Sequence, residues 1–415
     1  MSRVVRHAAG ALLMALVVLV TGAAARPDRA VAAPDVRAPA GILVEPATGD
    51  VVWARNPRDR RSIASTTKLM TALITLERKR LGTTVTATRY RALPVESVIG
   101  LRAGERLTVA DLLRGLLLAS ANDAAATLAA RVGGSRERFV RLMNRRAQQL
   151  GLDDTHYANP IGLDDEDNFS SAEDLAKLTL ILRRNAFFRR VTDLPRATLR
   201  SGSHARTVVN RNVLVRNVAA VNGVKTGHTS RAGYVLVGSA TRAGVTVVST
   251  VLGDPSEATR DADSLELLRF GLARYRRVTP VRERERFATA ALRSRDERVA
   301  LVATRTIRRT ARRDERVTTR VLGAPRELDG PLPAGARVGT IEVRWRERPV
   351  DRVALVTARA VDEASLVQRL DGLIGRTLLV LLGAGAALGS LQVMLLRRRR
   401  RSRRRQRAAG GTEIA

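Results

Sequence analysis

The 415-residue chain has no cysteine, which excludes disulfides, thiolate catalysis, zinc ribbons and iron–sulfur ligation together. Histidine is nearly as scarce. His7, His156, His204 and His228 form no pair at ligand spacing, so no histidine-built metal site, and no resident cofactor, is expected. Aromatic residues make up 3%, too few for the platforms on which nucleic-acid bases stack. Lysine is scarce in a more telling way. Of 73 basic residues, four are lysine: Lys68, Lys79, Lys177 and Lys225. Arginine serves wherever a plain positive charge will do, so a retained lysine marks a position where arginine does not. An ammonium can lose its proton when buried; a guanidinium cannot.

What abounds is positive charge, +33 net. With so few aromatics, such a balance points to anionic lipid or acidic wall polymers as surroundings, not to nucleic acid. A hydrophobic content of 45% supports a packed core, and the length suggests two globular domains. Both ends address a membrane. Arg3 and Arg6 precede the apolar run Ala8 to Val20, and small-residue cleavage sites follow at Ala23-Ala24-Ala25 and Ala30-Val31-Ala32. Residues 1–32 therefore read as a secretory signal peptide, with an uncleaved N-terminal anchor as the alternative. Thr377 to Leu396 carries no charge and, as a helix, spans about 30 Å, one hydrocarbon core. Arg397 to Arg401 follow at once, so residues 397–415 read as a basic cytoplasmic tail, with the body on the outer side of the cell membrane. Leu366, Val367, Leu370, Leu373 and Ile374 share one helical face, making 361–376 an amphipathic linker that lies on the membrane or extends the anchor.

The body reads as α+β. Ile42-Leu43-Val44 and Val51-Val52-Trp53 flank a turn at Thr48-Gly49-Asp50, a β-hairpin. Helical periodicity begins near Ser65 and continues through Val109–Leu118, Ala124–Val132 and Arg138–Leu150 to about residue 185. Tyr234–Ala240 and Val245–Leu252 are strands, and a helix over Ser264–Arg274 closes the unit. Terminal strands around a helical middle predict a sheet drawn from both ends of a domain spanning 35–277. Residues 278–360, with β-like runs at Val299–Val302 and Val338–Val343, read as a small β-rich domain that carries no visible chemistry.

Three short motifs stand out. Ser65-Thr66-Thr67-Lys68 opens a helix and sets Ser65 Oγ and Lys68 Nζ on one face, where a desolvated lysine could deprotonate the serine. Ser120-Ala121-Asn122 can present a hydroxyl and an amide to one cleft. Lys225-Thr226-Gly227 leads into strand, with Lys225 and Gly227 on one side; the cation suits a substrate carboxylate, and Gly227 permits close approach. Alone, the first is also an ordinary N-cap beside a surface lysine, and the second a polar loop capping the next helix. In this order the three make the signature of penicillin-interacting serine acyltransferases.

The wording around them resembles the D-alanyl-D-alanine carboxypeptidases of the low-molecular-mass penicillin-binding proteins, peptidase family S11. The resemblance runs over residues 40–275 and includes Ile63 to Ala72, Ser120-Ala121-Asn122-Asp123-Ala124, Asn159-Pro160-Ile161-Gly162-Leu163 and Lys225-Thr226-Gly227-His228-Thr229 with Ala232-Gly233-Tyr234. It implies a penicillin-binding-protein/β-lactamase-like catalytic domain, an antiparallel sheet with a helical lobe. It also implies action on peptidoglycan stem peptides ending in D-Ala-D-Ala, in cell-wall synthesis and cell shape, with β-lactams as covalent inhibitors. Carried over by position, Ser65 is the nucleophile, Lys68 its general base, and Ser120 the proton relay to the leaving amine, assisted by Lys225. Asn122 holds the substrate amide, the N–H groups of Ser65 and His228 form the oxyanion hole, Thr226 and Arg260 meet the terminal carboxylate, and Arg211 matches another cleft arginine. Arg211 stands one residue nearer the third motif than the family pattern, and Asn222 replaces a common aspartate before Gly223.

Three rivals remain: an endopeptidase of D-alanyl cross-links, an inactive wall-binding scaffold, and a serine β-lactamase using the acidic run Asp164 to Asp167 to activate water. Lys68→Arg is expected to abolish acylation of Ser65 although the charge is kept. Unchanged labelling of that variant by a fluorescent penicillin would remove lysine as the base.

Overall fold

Alternating apolar residues build a five-stranded sheet with a core on each face. The computed structural model describes residues 33–293, 295–367 and 384–396. Strands β1 (Ala40–Glu45) and β2 (Asp50–Arg55) form the N-terminal hairpin; β3 (Val221–Thr229), β4 (Gly233–Arg242) and β5 (Val245–Asp254) form a meander. The order is β2-β1-β5-β4-β3, antiparallel throughout, so the sheet does draw on both ends of the domain. Arg242 pairs with Val245 across Ala243-Gly244, both at positive φ, the two-residue turn that matches strand twist. Ile42, Val235, Val237, Val248 and Leu252 face a helical layer, while their neighbours Leu43, Leu236, Val247 and Val251 face the other way, onto Leu267 and Leu268.

The helical layer holds α1 (Lys68–Arg78), α2 (Val109–Leu118), α3 (Asn122–Gly133), α4 (Arg136–Gln149), α5 (Ala172–Leu182) and α6 (Ala186–Thr192); a short α7 (Val213–Asn217) precedes β3. Thr108, Ser135 and Ser171 cap α2, α4 and α5 by accepting the N–H of the residue three places on. α1 lies in the middle of the layer, with every residue from Lys68 to Thr75 buried.

The last helix of this unit, α8, spans Glu257–Arg274 and so begins at Glu257, not at Ser264 as the sequence pattern suggested. Ser256 caps it by accepting the Thr259 N–H at 3.1 Å. Its first turns carry Glu257, Arg260, Asp261 and Asp263, whose charges mask the apolar period. Arg260 is thereby placed on a helix.

α8 runs directly into β6 (Tyr275–Val281), slightly ahead of the 277/278 boundary drawn from composition. Strands β7 (Arg286–Leu292), β8 (Arg298–Ala303), β9 (Ile307–Arg312), β10 (Val317–Leu322), β11 (Arg337–Trp345) and β12 (Arg348–Thr357) follow. One sheet is ordered β10-β11-β12-β8-β7 with Glu327–Leu328 on its edge, and β6 pairs with β9. Leu301, Ile341, Val343 and Leu355 form a separate core there. At the junction Asp50 accepts the Tyr275 hydroxyl at 2.8 Å and Arg346 Nη2 at 2.8 Å, while Arg346 also donates to Glu315 at 2.7 Å. Among the described residues, the chain from Pro34 on clusters as one compact unit.

The signal peptide read at 1–32 and the tail at 397–415 lie outside the described residues, as do 368–376 of the linker and 377–383 of the anchor. Leu366 and Val367 are exposed, and the helix over 384–396 is exposed throughout. Among the described residues no helix is long and apolar enough to cross a membrane.

A long connection, residues 87–105, is tied down at two points. Asp123 accepts the N–H groups of Ile99 and Leu101, and Arg206 pairs with Glu105 at 2.8 Å with both side chains buried. Burial alone would raise the Glu105 carboxyl; Arg206 and the N–H groups of Ser203 and Arg102 outweigh it and hold the group at about 2. Its stabilising contribution is therefore complete above the ordinary carboxyl value and is lost as pH falls toward 2. Arg206→Met should cost roughly 3 kcal/mol at pH 7 by leaving that carboxylate without its cation. Denaturant titrations should show the gap between variant and parent shrinking at pH 3.

Candidate active site

Ser65 occupies a tight 3-10 turn, Ala64–Thr67, that leads into α1. The turn is closed by Thr66, whose N–H and hydroxyl both donate to Ile63 O. Lys68 is the first residue of α1 and is completely buried. Its Nζ lies 2.8 Å from Ser65 Oγ and 2.5 Å from Ile161 O. Burial is the largest influence on this amine and lowers it to about 7; Arg211 acts in the same direction, and Glu96 and Asp123 oppose.

Ile161 belongs to the Asn159–Leu163 segment, which acts as a clamp on the start of α1. Asn159 Oδ1 accepts the N–H groups of Gly162 at 2.7 Å and Leu163 at 3.1 Å, and its Nδ2 donates to Leu163 O at 3.0 Å. The closed loop turns Ile161 O toward Lys68 and Pro160 O toward the Thr71 hydroxyl. Gly162 sits at φ +84°, where a Cβ would fall 2.0 Å from Ala64 O. No other residue fits between the clamp and the serine turn.

A second serine–lysine pair faces the first. Lys225 Nζ, on the edge strand β3, donates to Ser120 Oγ at 2.8 Å and to Thr226 O at 2.8 Å. Lys225 is buried, and burial, then the charges of Lys68, Arg211 and Arg260, depress its amine well below the ordinary range. Ser120 has φ +60° and Ala64, next to Ser65, φ +45°. Both serines are thus approached through left-handed backbone that a non-glycine residue adopts at a cost, a concentration of strain at one place. Gly227 brings β3 against the turn: a Cβ there would lie 2.9 Å from the Ser65 nitrogen.

A cavity of about 650 Å³ opens over these pairs, lined among others by Ser65, Ser120, Arg211, Thr226, His228 and Arg260. Lys68, Lys225 and Asn122 sit behind its wall. His228 stacks on Tyr234 with ring centroids 4.0 Å apart. Arg211 is anchored by its Nε to Ala119 O at 3.1 Å. Arg260 reaches the wall from α8, but Asp261 and Glu257 already hold its guanidinium, at 2.7 and 2.9 Å. Asn122 Nδ2 donates to Glu96 Oε2 at 2.6 Å. Sequence reasoning missed Glu96, which lies in a connection without periodicity, and it missed the clamping role of Asn159 and Gly162. Every other site residue named from the motifs is brought to this cavity or directly behind it.

A hydroxyl is paired with a buried amine twice over in one cleft of an α+β fold, each at 2.8 Å. The model of peptidase family S11, D-alanyl-D-alanine carboxypeptidase, matches residues 28–256. The D-alanyl-D-alanine carboxypeptidase DacD of Escherichia coli is 31% identical over 355 residues, 81% of this chain and 90% of that protein. DacF of Bacillus subtilis, described by the same activity, is 34% identical over 244 residues, 57% of this chain and 63% of that protein. The crystal structure of penicillin binding protein 5 from Haemophilus influenzae superimposes with a TM-score of 0.58 at 29% identity, covering 80% of this chain and all 100% of that one. The chain belongs to the S11 family of D-alanyl-D-alanine carboxypeptidases and is a peptidase, with that family's catalytic domain followed by its β-rich domain.

Gly162→Ala is expected to destabilise the protein by about 3 kcal/mol and to slow acylation by displacing the Ser65 turn. Parental stability together with parental labelling by a fluorescent penicillin would remove the clamp from the site's architecture.

Proposed function

We propose that this chain removes the terminal D-alanine from peptidoglycan stem pentapeptides through an acyl-enzyme on Ser65. The observation that carries the reading is the meeting of two serine–lysine pairs with buried amines, each at 2.8 Å, at one cavity. An amine at about 7 is neutral in a substantial fraction at physiological pH, so Lys68 takes the proton as Ser65 Oγ attacks the carbonyl between the two D-alanines. The N–H groups of Ser65 and His228 receive the developing oxyanion. The proton that Lys68 took is returned through Ser120, held by Lys225 at 2.8 Å, to the leaving amine, so that both lysines end the step as they began it. The C–N bond breaks, D-alanine departs, and water hydrolyses the remaining ester. Thr226, Arg211 and Arg260, all in the cavity wall, meet the terminal carboxylate.

The acidic run does not favour the β-lactamase reading. Asp164 accepts the Thr229 hydroxyl at 2.6 Å, and Glu166 is exposed beside Arg231. Neither is held as a buried base over Ser65. We place the body outside the cell membrane on the sequence pattern of the two ends, with 377–396 as the span.

The test is intact mass of the protein over time after benzylpenicillin. A persistent adduct mapping to Ser65 is expected. A transient adduct with consumption of drug would replace this reading by a β-lactamase, and no adduct on folded protein would replace it by a scaffold. Acylation should also fall as pH drops below about 7, because protonation removes the base. A rate flat from pH 8 to 5 would contradict the assignment of Lys68.

A further inference from the structure

Asp254 closes β5 with no exposure, and neither of its carboxyl oxygens meets an N–H or a hydroxyl among the described residues. The group it hydrogen-bonds is another carboxyl, Asp263 of α8, itself 3% exposed. An ionised carboxylate only accepts hydrogen bonds, so one of the two must carry a proton. Asp263 Oδ2 already accepts the N–H groups of Arg37 at 2.6 Å and Ala38 at 2.7 Å. Those donors favour negative charge on Asp263, which leaves the proton on Asp254. Burial, then the charge of Asp263, raises the Asp254 carboxyl to about 8. Three elements meet at this pair. Asp254 is in register with Tyr234, whose ring stacks on His228 and has Arg260 Cζ 5.9 Å over its centroid. Asp263 stands about one turn of α8 beyond Arg260, and its two N–H donors belong to the segment that leads into β1. On α8, Arg260 opposes the rise of Asp254 and Asp261 supports it. Arg55 is turned to Val36 O and Ala38 O, Arg61 approaches Gly253, and Arg37 is exposed.

We propose that Asp254 and Asp263 are positioning residues, a carboxylic acid–carboxylate pair whose single shared proton holds the Arg260 turn of α8 and the Tyr234 end of the sheet at one spacing behind the cavity wall. Its effect on acylation rests on the functional reading above; its effect on folding does not. Loss of the proton sets two negative charges side by side out of water. Their repulsion drives the end of β5 and the start of α8 apart and takes Tyr234 and Arg260 with them. A carboxyl raised by folding binds its proton more tightly in the folded chain than in the unfolded one. Its stabilising contribution is therefore complete below the ordinary carboxyl range, declines as pH rises beyond it and is gone above about 8.

Two variants of the full chain test the pair. Asp254→Asn keeps a donor toward Asp263 that no rise in pH removes; Asp254→Ala lacks the donor at every pH. Thermal melts and labelling by a fluorescent penicillin are followed from pH 5 to 10. Between pH 5 and 9.5 the melting temperature of the parent should fall by about 5 °C more than that of Asp254→Asn. Acylation should drop about fivefold from pH 7.5 to 9.5 in the parent, hold in Asp254→Asn, and be low throughout in Asp254→Ala. Parallel curves for the parent and Asp254→Asn overturn the proposal, as does a parental profile in Asp254→Ala. Should Asp254→Asn fail to fold, infrared spectra of the parent decide. A protonated-carboxyl band at pH 7 that is gone by pH 9.5 is expected, and its absence at pH 7 overturns the pair. Melts that separate as expected in a chain that no penicillin labels overturn the functional reading, and the pair then stands as a tie of the fold alone.

Discussion

The structure depends on one buried amine. Lys68 Nζ sits between Ser65 Oγ and Ile161 O with no exposure to solvent. In water an ammonium holds its proton far too tightly to act as a base at neutral pH. Here the cost of desolvating charge brings it to about 7. That cost exists only if the surroundings stay dry and do not relax. The central position of α1 in the helical layer, the closed Asn159–Leu163 clamp and the close approach of β3 at Gly227 all exclude water and hold the serine turn in register. Loosening any of them would let the lysine solvate and recover its proton.

Charge is handled differently in the rest of the molecule. A chain of net charge +33 must keep its many arginines apart or paired, and among the described residues the pairs that form are mostly at the surface and individually weak. The buried exceptions are compensated: Arg206 by Glu105, and Arg260 by Glu257 and Asp261. Lys68 and Lys225, behind the cavity wall, are the reverse case, buried without a bonded carboxylate and surrendering proton affinity instead. Arginine cannot make that exchange, which explains why lysine survives at positions 68 and 225 in a chain that otherwise prefers arginine.

The sheet explains how residues far apart in the chain reach one cleft. The N-terminal hairpin enters beside β5, so β1 and the β3–β5 meander form one surface with the helical layer on one face and α8 on the other. β3 remains an edge, and its Thr226, Gly227 and His228 border the cleft, with Lys225 behind them, where the serine turn and the Ser120 loop also arrive. The β-rich domain is joined without a flexible spacer, through the run from α8 into β6 and the cluster of Tyr275, Arg346 and Asp50.

The sequence alone determined whatever is local or chemical in kind. The Ser65–Lys68 pairing follows from helical spacing, the α2 limits from its helical pattern of apolar residues, the β4–β5 hairpin from Ala243-Gly244, and the special status of two lysines from their rarity. The start of α8 was hidden because four charged residues occupy its first turns. Only the tertiary structure decided which distant groups touch. Ser120 and Lys225 are 105 positions apart, Lys68 and Ile161 93, and Glu96 and Asn122 26. Such contacts leave no periodic trace, since they are set by how the layers stack. Glu96 in an irregular connection looks like any solvated glutamate until the fold lays it against the asparagine.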